Sequence, residues 1–419
     1  MIKNFSFDRA MYGVVLALAL LTVISTALTT FALIIGVLLI IYEYFRTKKF
    51  PQFESEILKV LAFYFSAQII IALTSLNVAV SLREVGGELH RFLPLIFAMT
   101  FIKNREQLRG VLIATLIASL ANDAAGIFQH FIQGASRPIG LVYSPTFFAS
   151  AMLMQIPVLI FMLQENFVPK VWRPVAIFTA LLSVFCLGLS MTRGAWLAFI
   201  AVMLLFAVME KNYRTATLKF FVGLLAAFWI GFSLSPQFQE RIETLTDKNF
   251  QSNSERILMW ESSIEIFKDY PIHGIGQKMF EKVYNEEYIS PDAKERPTEN
   301  MSGHSQPHNN FLFAATEGGI IGLIAFIVLH GYLLRRFFLQ YRIESFMKFS
   351  AGLTLLLIFI ALHLEGLTDT NFSQVKLMRE FLVIAGSLMA AGKFLGSREQ
   401  GVESRPSTIY SLPSTRYID

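Results

Sequence analysis

Twelve apolar runs, most of them long enough to cross a bilayer as a helix, occupy nearly the whole chain. They cover residues 11–26, 28–45, 57–76, 90–102, 108–122 and 145–163 in the first half. In the second half they cover 172–190, 194–209, 216–234, 311–338, 348–363 and 376–395. Lipid offers the backbone no hydrogen bonds, so a run of roughly 20 apolar residues within it must be helical. The run at 90–102 is short and polar at its start, which predicts a tilted helix or one extended backward. Residues 11–29 lack a small-x-small cleavage site and lead straight into the next run, so they are expected to remain as the first span.

The basic residues test this division independently. With the N-terminus inside, the inner connections hold Arg46, Lys48 and Lys49, then Lys103, Arg105 and Arg109, then Lys170 and Arg173. The next two hold Lys211, Arg214 and Lys219, then Arg335, Arg336 and Arg342. Short outer connections are almost free of Lys and Arg; Arg83, Arg137 and Arg193 are the exceptions. Removing one span would break the phase of this positive-inside alternation. Composition agrees, since 16% charged residues is well below the quarter or so found in soluble domains. The net charge of +5 is therefore a matter of membrane orientation and not a nucleic-acid footprint. A single cysteine, Cys186, excludes an internal disulfide.

These observations predict an all-α, polytopic membrane protein with about twelve transmembrane helices and both termini on the inner side. Residues 1–234 carry spans one to nine, 235–310 a large, partly helical outer loop, 311–395 the last three spans, and 396–419 a polar inner tail. A loop of that length is expected to contain structure. An amphipathic helix is predicted over 253–270, capped by Asn253 or Ser254, with Ile257, Trp260, Ile264 and Phe267 as its apolar stripe and Pro271 after its end. A second is predicted over 277–288, following the turn Gly274-Ile275-Gly276.

Four polar groups at the outer interface are candidates for chemistry. Arg193, in Ser190-Met191-Thr192-Arg193-Gly194-Ala195-Trp196, is pinned by two spans where a lipid phosphate lies. Its guanidinium could grip phosphate bidentately, or snorkel to generic headgroups; its place on the charge-poor side favours the first. Arg256 falls in the first turn of the predicted outer helix, where a cation is mildly unfavourable, so it faces either water or an external anion. In His304-Ser305-Gln306-Pro307-His308-Asn309-Asn310, Pro307 fits a helix start and puts His308 and Asn309 in the first turn of the tenth span. Free N–H groups there attract anions and favour the neutral imidazole that a general base needs; a capping or merely hydrated histidine is the alternative. Arg137, before the sixth span, supports either an anionic headgroup or the loop fold.

Other chemistries are weighed down. His304 and His308 do not form an HExxH pair, and Pro307 disturbs any shared helical face, so no metal site is expected. No GxxxxGK[ST] motif occurs, which argues against ATP hydrolysis. Glu317 lies nine residues beyond His308, near the opposite face of a straight helix, and reads as a packing residue. His363, Glu365 or Asp369 could supply a carboxylate or imidazole partner to His308.

Taken in order, Ser190–Trp196, the helix through Arg256 and Trp260 to Asp269-Tyr270-Pro271, Gly274-Ile275-Gly276, His308-Asn309 and Glu317-Gly318-Gly319-Ile320-Ile321-Gly322 resemble the O-antigen ligase family. The resemblance implies a glycosyltransferase in the bacterial inner membrane with its active site facing the periplasm. It implies transfer of O-antigen from an undecaprenyl-diphosphate-linked donor to a lipid A-core acceptor. It further implies that Arg193 and Arg256 hold the diphosphate; Arg137 and Asn309, from their own place at the outer interface, are expected to bind substrate beside them. His308 would activate the acceptor hydroxyl, with neither nucleotide, metal nor other cofactor. Membrane lipids, and no nucleic acid, are the remaining partners expected. The same motifs fit an O-antigen polymerase or a protein O-glycosyltransferase using the same donor. A transporter fits less well, because transporter sites lie near mid-membrane at broken helices, often with repeat symmetry.

Overall fold

The computed structural model describes residues 6–163, 167–234, 236–244, 250–294, 304–344 and 350–395, so the expected tail at 396–419 lies outside the described residues. In chain order, the first half holds α1 (Phe7–Leu21), α2 (Thr26–Thr47), α3 (Ser55–Leu73), α4 (Val78–Leu89), α5 (Leu93–Phe101), α6 (Arg105–Phe131) and α7 (Pro145–Met162). Then come α8 (Trp172–Leu189), α9 (Arg193–Met209), α10 (Arg214–Leu234), α11 (Pro236–Glu243), α12 (Gln251–Asp269) and α13 (Phe280–Val283). The chain closes with α14 (Asn310–Ile343), α15 (Ala351–Glu365) and α16 (Val375–Leu395). It is an all-α membrane protein. Among the described residues, seven helices are long and apolar enough to cross a membrane, and α9 and α15 are shorter apolar helices. That is fewer than the twelve expected spans.

Polar residues start the spans. Ser25, Asn104, Ser144 and Ser350 lend side-chain oxygens to the free N–H groups at the first turns of α2, α6, α7 and α15. The short run at 90–102 does extend backward: α4, a 3-10 turn over His90–Phe92 and α5 follow one another with hardly a break. Helix α7 is buried almost all round, against α8, α15, α9 and α6, whereas α2 exposes Leu28, Phe31, Ile34 and Leu38. A helix apolar on every side belongs in the middle of a bundle, and an exposed apolar stripe belongs against lipid.

The stretch 311–338, expected as one straight span, is not straight. Its helix α14 breaks at Gly319, with φ 59° and ψ −154°, a backbone open essentially to glycine. The break is sharp enough to bring the ring of Phe311 within 5.4 Å of that of Phe326, fifteen residues on. A continuous helix would separate them by about 22 Å. Residues 310–318 thus form a short arm folded against the first turns of the span that follows.

Chain from the preceding loop repairs the break. In an unbroken helix the N–H groups of Ile320 and Ile321 would bond to Thr316 and Glu317. Here they donate to the carbonyls of Pro271 and Ile272, at 2.8 and 3.2 Å. The abandoned carbonyls of Thr316 and Glu317 accept from Ile275 and Gly276, at 3.0 and 2.9 Å. Two lost helix bonds become four bonds to the loop, so these two N–H groups and two carbonyls are all paired. The approach is close: a Cβ on Gly274 would come within 2.5 Å of the Glu317 carbonyl, and one on Gly319 as near to that of Ile272.

Helix α12 rests on this joint. Its Met259 and Ile266 pack with Ile275, Met279, Phe280, Val283 and Tyr284 in a small separate core. The buried face of α12 is therefore Met259, Ser262, Ser263 and Ile266, and not the expected stripe, of which Ile264 is exposed. The stripe was misplaced because the helix buries two serines: Ser262 Oγ donates to the Tyr288 carbonyl, and Ser263 Oγ to that of Met259.

Candidate functional site

The arm of α14 places His308. Asn309 is its N-cap, its Oδ1 accepting from the N–H groups of Phe311 and Leu312 while its Nδ2 donates to the Leu367 carbonyl. Both ends of the Asn309 amide are thus engaged within the protein. His308 lies just outside the helix, not in its first turn, and takes a left-handed backbone with φ 50°. A non-glycine residue held there is strained and persists only when its surroundings fix it. Two contacts do so. Trp260 Nε1 on α12 donates to the Pro307 carbonyl at 2.9 Å, and His308 Nδ1 lies 3.2 Å from Asp369 Oδ1.

Asp369 sits in the connection between α15 and α16 and is 2% exposed. Burial pushes its carboxyl up. The His308 hydrogen bond, the charges of His308 and Arg256, and the Thr370 N–H outweigh this and hold it below the usual carboxylate range. An ionised carboxylate can only accept, so His308 Nδ1 is the donor in this bond, and Nε2 is the ring nitrogen left to face a reactant. The His308 side chain is 29% exposed. The pair is a partly open imidazole oriented by a buried carboxylate, an arrangement suited to general-base work.

The connection itself is tightly held. Asn310 N donates to the Gly366 carbonyl and Asn310 Nδ2 to Asn371 Oδ1, while Asn371 Nδ2 and Ser150 Oγ both donate to Glu365 Oε2. Of the three partners considered for His308, Asp369 is the one in contact. His363 instead turns its Nδ1 to the Phe359 carbonyl and packs against His330 and Phe372. Glu317 is buried and accepts from the Phe280 N–H at 3.3 Å, a packing role within the joint.

The arginines approach from the other side. Arg193 begins α9, and Gly194 beside it abuts Thr368, the neighbour of Asp369. Its guanidinium donates to the Thr244 carbonyl and, at 2.6 Å, to Asn253 Oδ1, and lies over the Phe250 ring. Arg193 therefore ties α9 to the first turn of α12, one turn before Arg256. Arg256 is half-buried and near enough to Asp369 to favour its ionised form. Arg137 does not reach this group. It donates to the Ser190 carbonyl at 3.0 Å and to Thr192 Oγ1 at 3.4 Å, bracing the turn that presents Arg193.

Arg193, Arg256 and His308 are thus gathered around Asn253, Thr368 and Asp369, although 63 positions separate Arg193 from Arg256 and 52 separate Arg256 from His308. Sequence reasoning did not find Thr368, Asn253 or the Asn310–Asn371 contact. The signal available was the polar cluster Thr368-Asp369-Thr370-Asn371 between two apolar runs, together with the doubled Asn309-Asn310.

A family model described as O-antigen ligase matches residues 178–327, from α8 to the middle of α14. The chain is also 22% identical over 384 residues to the O-antigen ligase of Salmonella typhimurium, a match covering 87% of this chain and 91% of the relative. The first match contains Arg193, Arg256 and His308. The second reaches well beyond it on either side, and the two together support the O-antigen ligase family.

Proposed function

We propose that this membrane enzyme of the O-antigen ligase family is a glycosyltransferase. It moves an O-antigen glycan from undecaprenyl diphosphate to a lipid A-core acceptor on the periplasmic face of the inner membrane. The observation that carries the reading is the His308–Asp369 pair, held beside two arginines at the end of the bundle that bears the 235–309 loop. His308 Nε2 takes the proton of the acceptor hydroxyl as its oxygen attacks the anomeric carbon. The bond from that carbon to the diphosphate breaks, its electron pair leaves with the diphosphate, and the anomeric configuration inverts. Asp369 stabilises the imidazolium that forms.

Arg193 and Arg256 offset the charge that develops on the leaving diphosphate. Donor binding exchanges the Arg193 contacts to Thr244 and Asn253 for phosphate oxygens, which couples occupancy of the site to the position of α12. The glycosyl diphosphate bond itself holds the free energy for transfer, so the reading needs neither nucleotide nor metal.

Two experiments test this. Purified His308→Ala should bind the lipid-linked donor yet transfer no glycan; wild-type turnover by that variant would exclude His308 as the base. A deletion strain should show bare lipopolysaccharide core and accumulate polymer on the carrier lipid. Core bearing a single repeat unit would instead indicate a polymerase.

A further inference from the structure

A cavity of about 350 Å³ opens beside the His308 turn. That volume falls within the usual range for small-molecule pockets, about 300–1,000 Å³. Its wall includes Gln306 and Asn310, which flank His308 in sequence, and Ser373, four residues beyond Asp369. None of Arg193, Arg256, His308 or Asp369 lines it. A second compartment, bordered by Ser305, Gln306 and Asn310 and of mixed polarity, therefore lies beside the residues of the site.

Mixed polarity decides what can occupy the second. Glu84, Glu88 and Glu317 contribute carboxylates and Arg91 and Lys278 cations, so the lining has no net attraction for a diphosphate. These charges equally exclude a polyprenyl or acyl chain, which would have to strip water from them. Several are already held in place: Tyr64 donates to Glu88 Oε1 at 2.8 Å, Arg91 pairs with Glu84, and Ser373 Oγ donates to Gln306 Oε1 at 2.7 Å. Gln277 is 6% exposed, and its Oε1, buried at the cavity, accepts no hydrogen bond among the described residues. Its Nε2 donates to the backbone and side-chain oxygens of Gln68, which fixes this part of the wall. The next residue, Lys278, has a left-handed backbone with φ 64°, a strained position on the same wall. Phe92 and Phe313 add flat apolar surface. Carboxylate and amide acceptors, fixed cationic donors and aromatic faces are together complementary to a sugar ring, with hydroxyls at its rim and C–H groups on its faces.

We propose that this cavity is the subsite for the acceptor glycan, holding a sugar of the acceptor so that its reactive hydroxyl faces His308 Nε2. The assignment rests on the glycosyltransferase reading above. In it the donor diphosphate lies with the arginines and the acceptor sugar in the cavity, so that His308 stands between the two reactants.

The test uses purified full-length protein with lipid-linked glycan as donor, lipid A-core as acceptor and delipidated core oligosaccharide as binding probe. Glu88→Gln keeps shape and removes charge, Tyr64→Phe removes one hydroxyl, and Ala314→Phe fills the cavity from the arm of α14. Each should raise the acceptor KM, by about ten- to a hundredfold for Glu88→Gln, the loss of a charged hydrogen bond. Binding of the core oligosaccharide should weaken in parallel, while retention of the donor lipid stays at the wild-type level. Unchanged acceptor KM in all three variants, with wild-type transfer intact, would overturn the cavity assignment alone. Failure of the wild-type protein to transfer glycan while still binding donor would overturn the glycosyltransferase reading, and this assignment with it.

Discussion

Two buried aspartates make the clearest contrast in this protein. Asp123 lies in the middle of α6, where Ser183 of α8 donates to its Oδ2 at 2.6 Å. Asp369 lies in the connection after α15 and is met by an imidazole, with an arginine charge beside it. Both are essentially inaccessible. Within the bundle, however, the carboxyl has a neutral hydroxyl for a partner and ties two spans together. At the loop-bearing end it has groups that can exchange protons and hold anions. Burial alone does not mark a functional carboxylate; the chemistry of its neighbours does.

Substitutions at the two sites should separate accordingly. Asp369→Asn should lower transfer by about 10²–10⁴-fold with the fold retained, because the amide no longer imposes the tautomer that leaves Nε2 free. Near-wild-type turnover would reduce Asp369 to a loop residue. The sign of its pH effect follows from its depressed pKa: the stabilisation it gives is present above the ordinary aspartate range and is lost as pH falls through the lowered value. Thermal melts in detergent should therefore show an acid-side loss in the wild type that the Asn variant lacks.

Arg193→Lys should weaken donor binding by about ten- to a hundredfold, since a lysine keeps the charge but cannot form the paired contacts of the guanidinium. Unchanged donor retention would remove Arg193 from the diphosphate site. Gly319→Ala should cost about 1–3 kcal/mol for the backbone alone, with more from the Cβ approach to Ile272, and should release the loop to proteolysis. A melting temperature equal to wild type would show that the break tolerates a side chain. Asp123→Asn should have the smallest effect, about 0.6 kcal/mol and at most roughly 1.7, as for hydrogen bonds between spans. Its transfer rate should match wild type, and a large loss of rate would collapse the contrast between the two aspartates.

Much of this was legible from the residues. The apolar runs announce the helices, because a bilayer leaves the backbone no alternative. Arg193, Arg256 and His308 stand out because charged and titratable groups are rare near lipid. What could not be read was pairing across distance. Nothing in the local pattern distinguishes Asp369 from Glu365 or His363, and only the folded connection turns one of them to His308. Likewise, Gly318-Gly319 lies inside a run expected as one span, while the need for a positive-φ residue there arises from a loop more than forty positions earlier. The expected first-turn position of His308 failed for a related reason: Asn309 is the better cap, and it moves the helix start past His308.

The exchange of hydrogen bonds at Gly319 also bears on how the protein is assembled. Until residues 271–276 arrive, the arm of α14 has two bare carbonyls and the span after it two bare N–H groups. Neither partner is complete alone. Loop and helix therefore form a single cooperative unit, in which a late span cannot take its final shape before an earlier extramembrane segment has docked. That order ties the maturation of the His308 turn to the folding of the loop that carries Arg256. A chain caught halfway would hold neither the His308–Asp369 pair nor Arg256 in position, so the constellation exists only once both parts have docked.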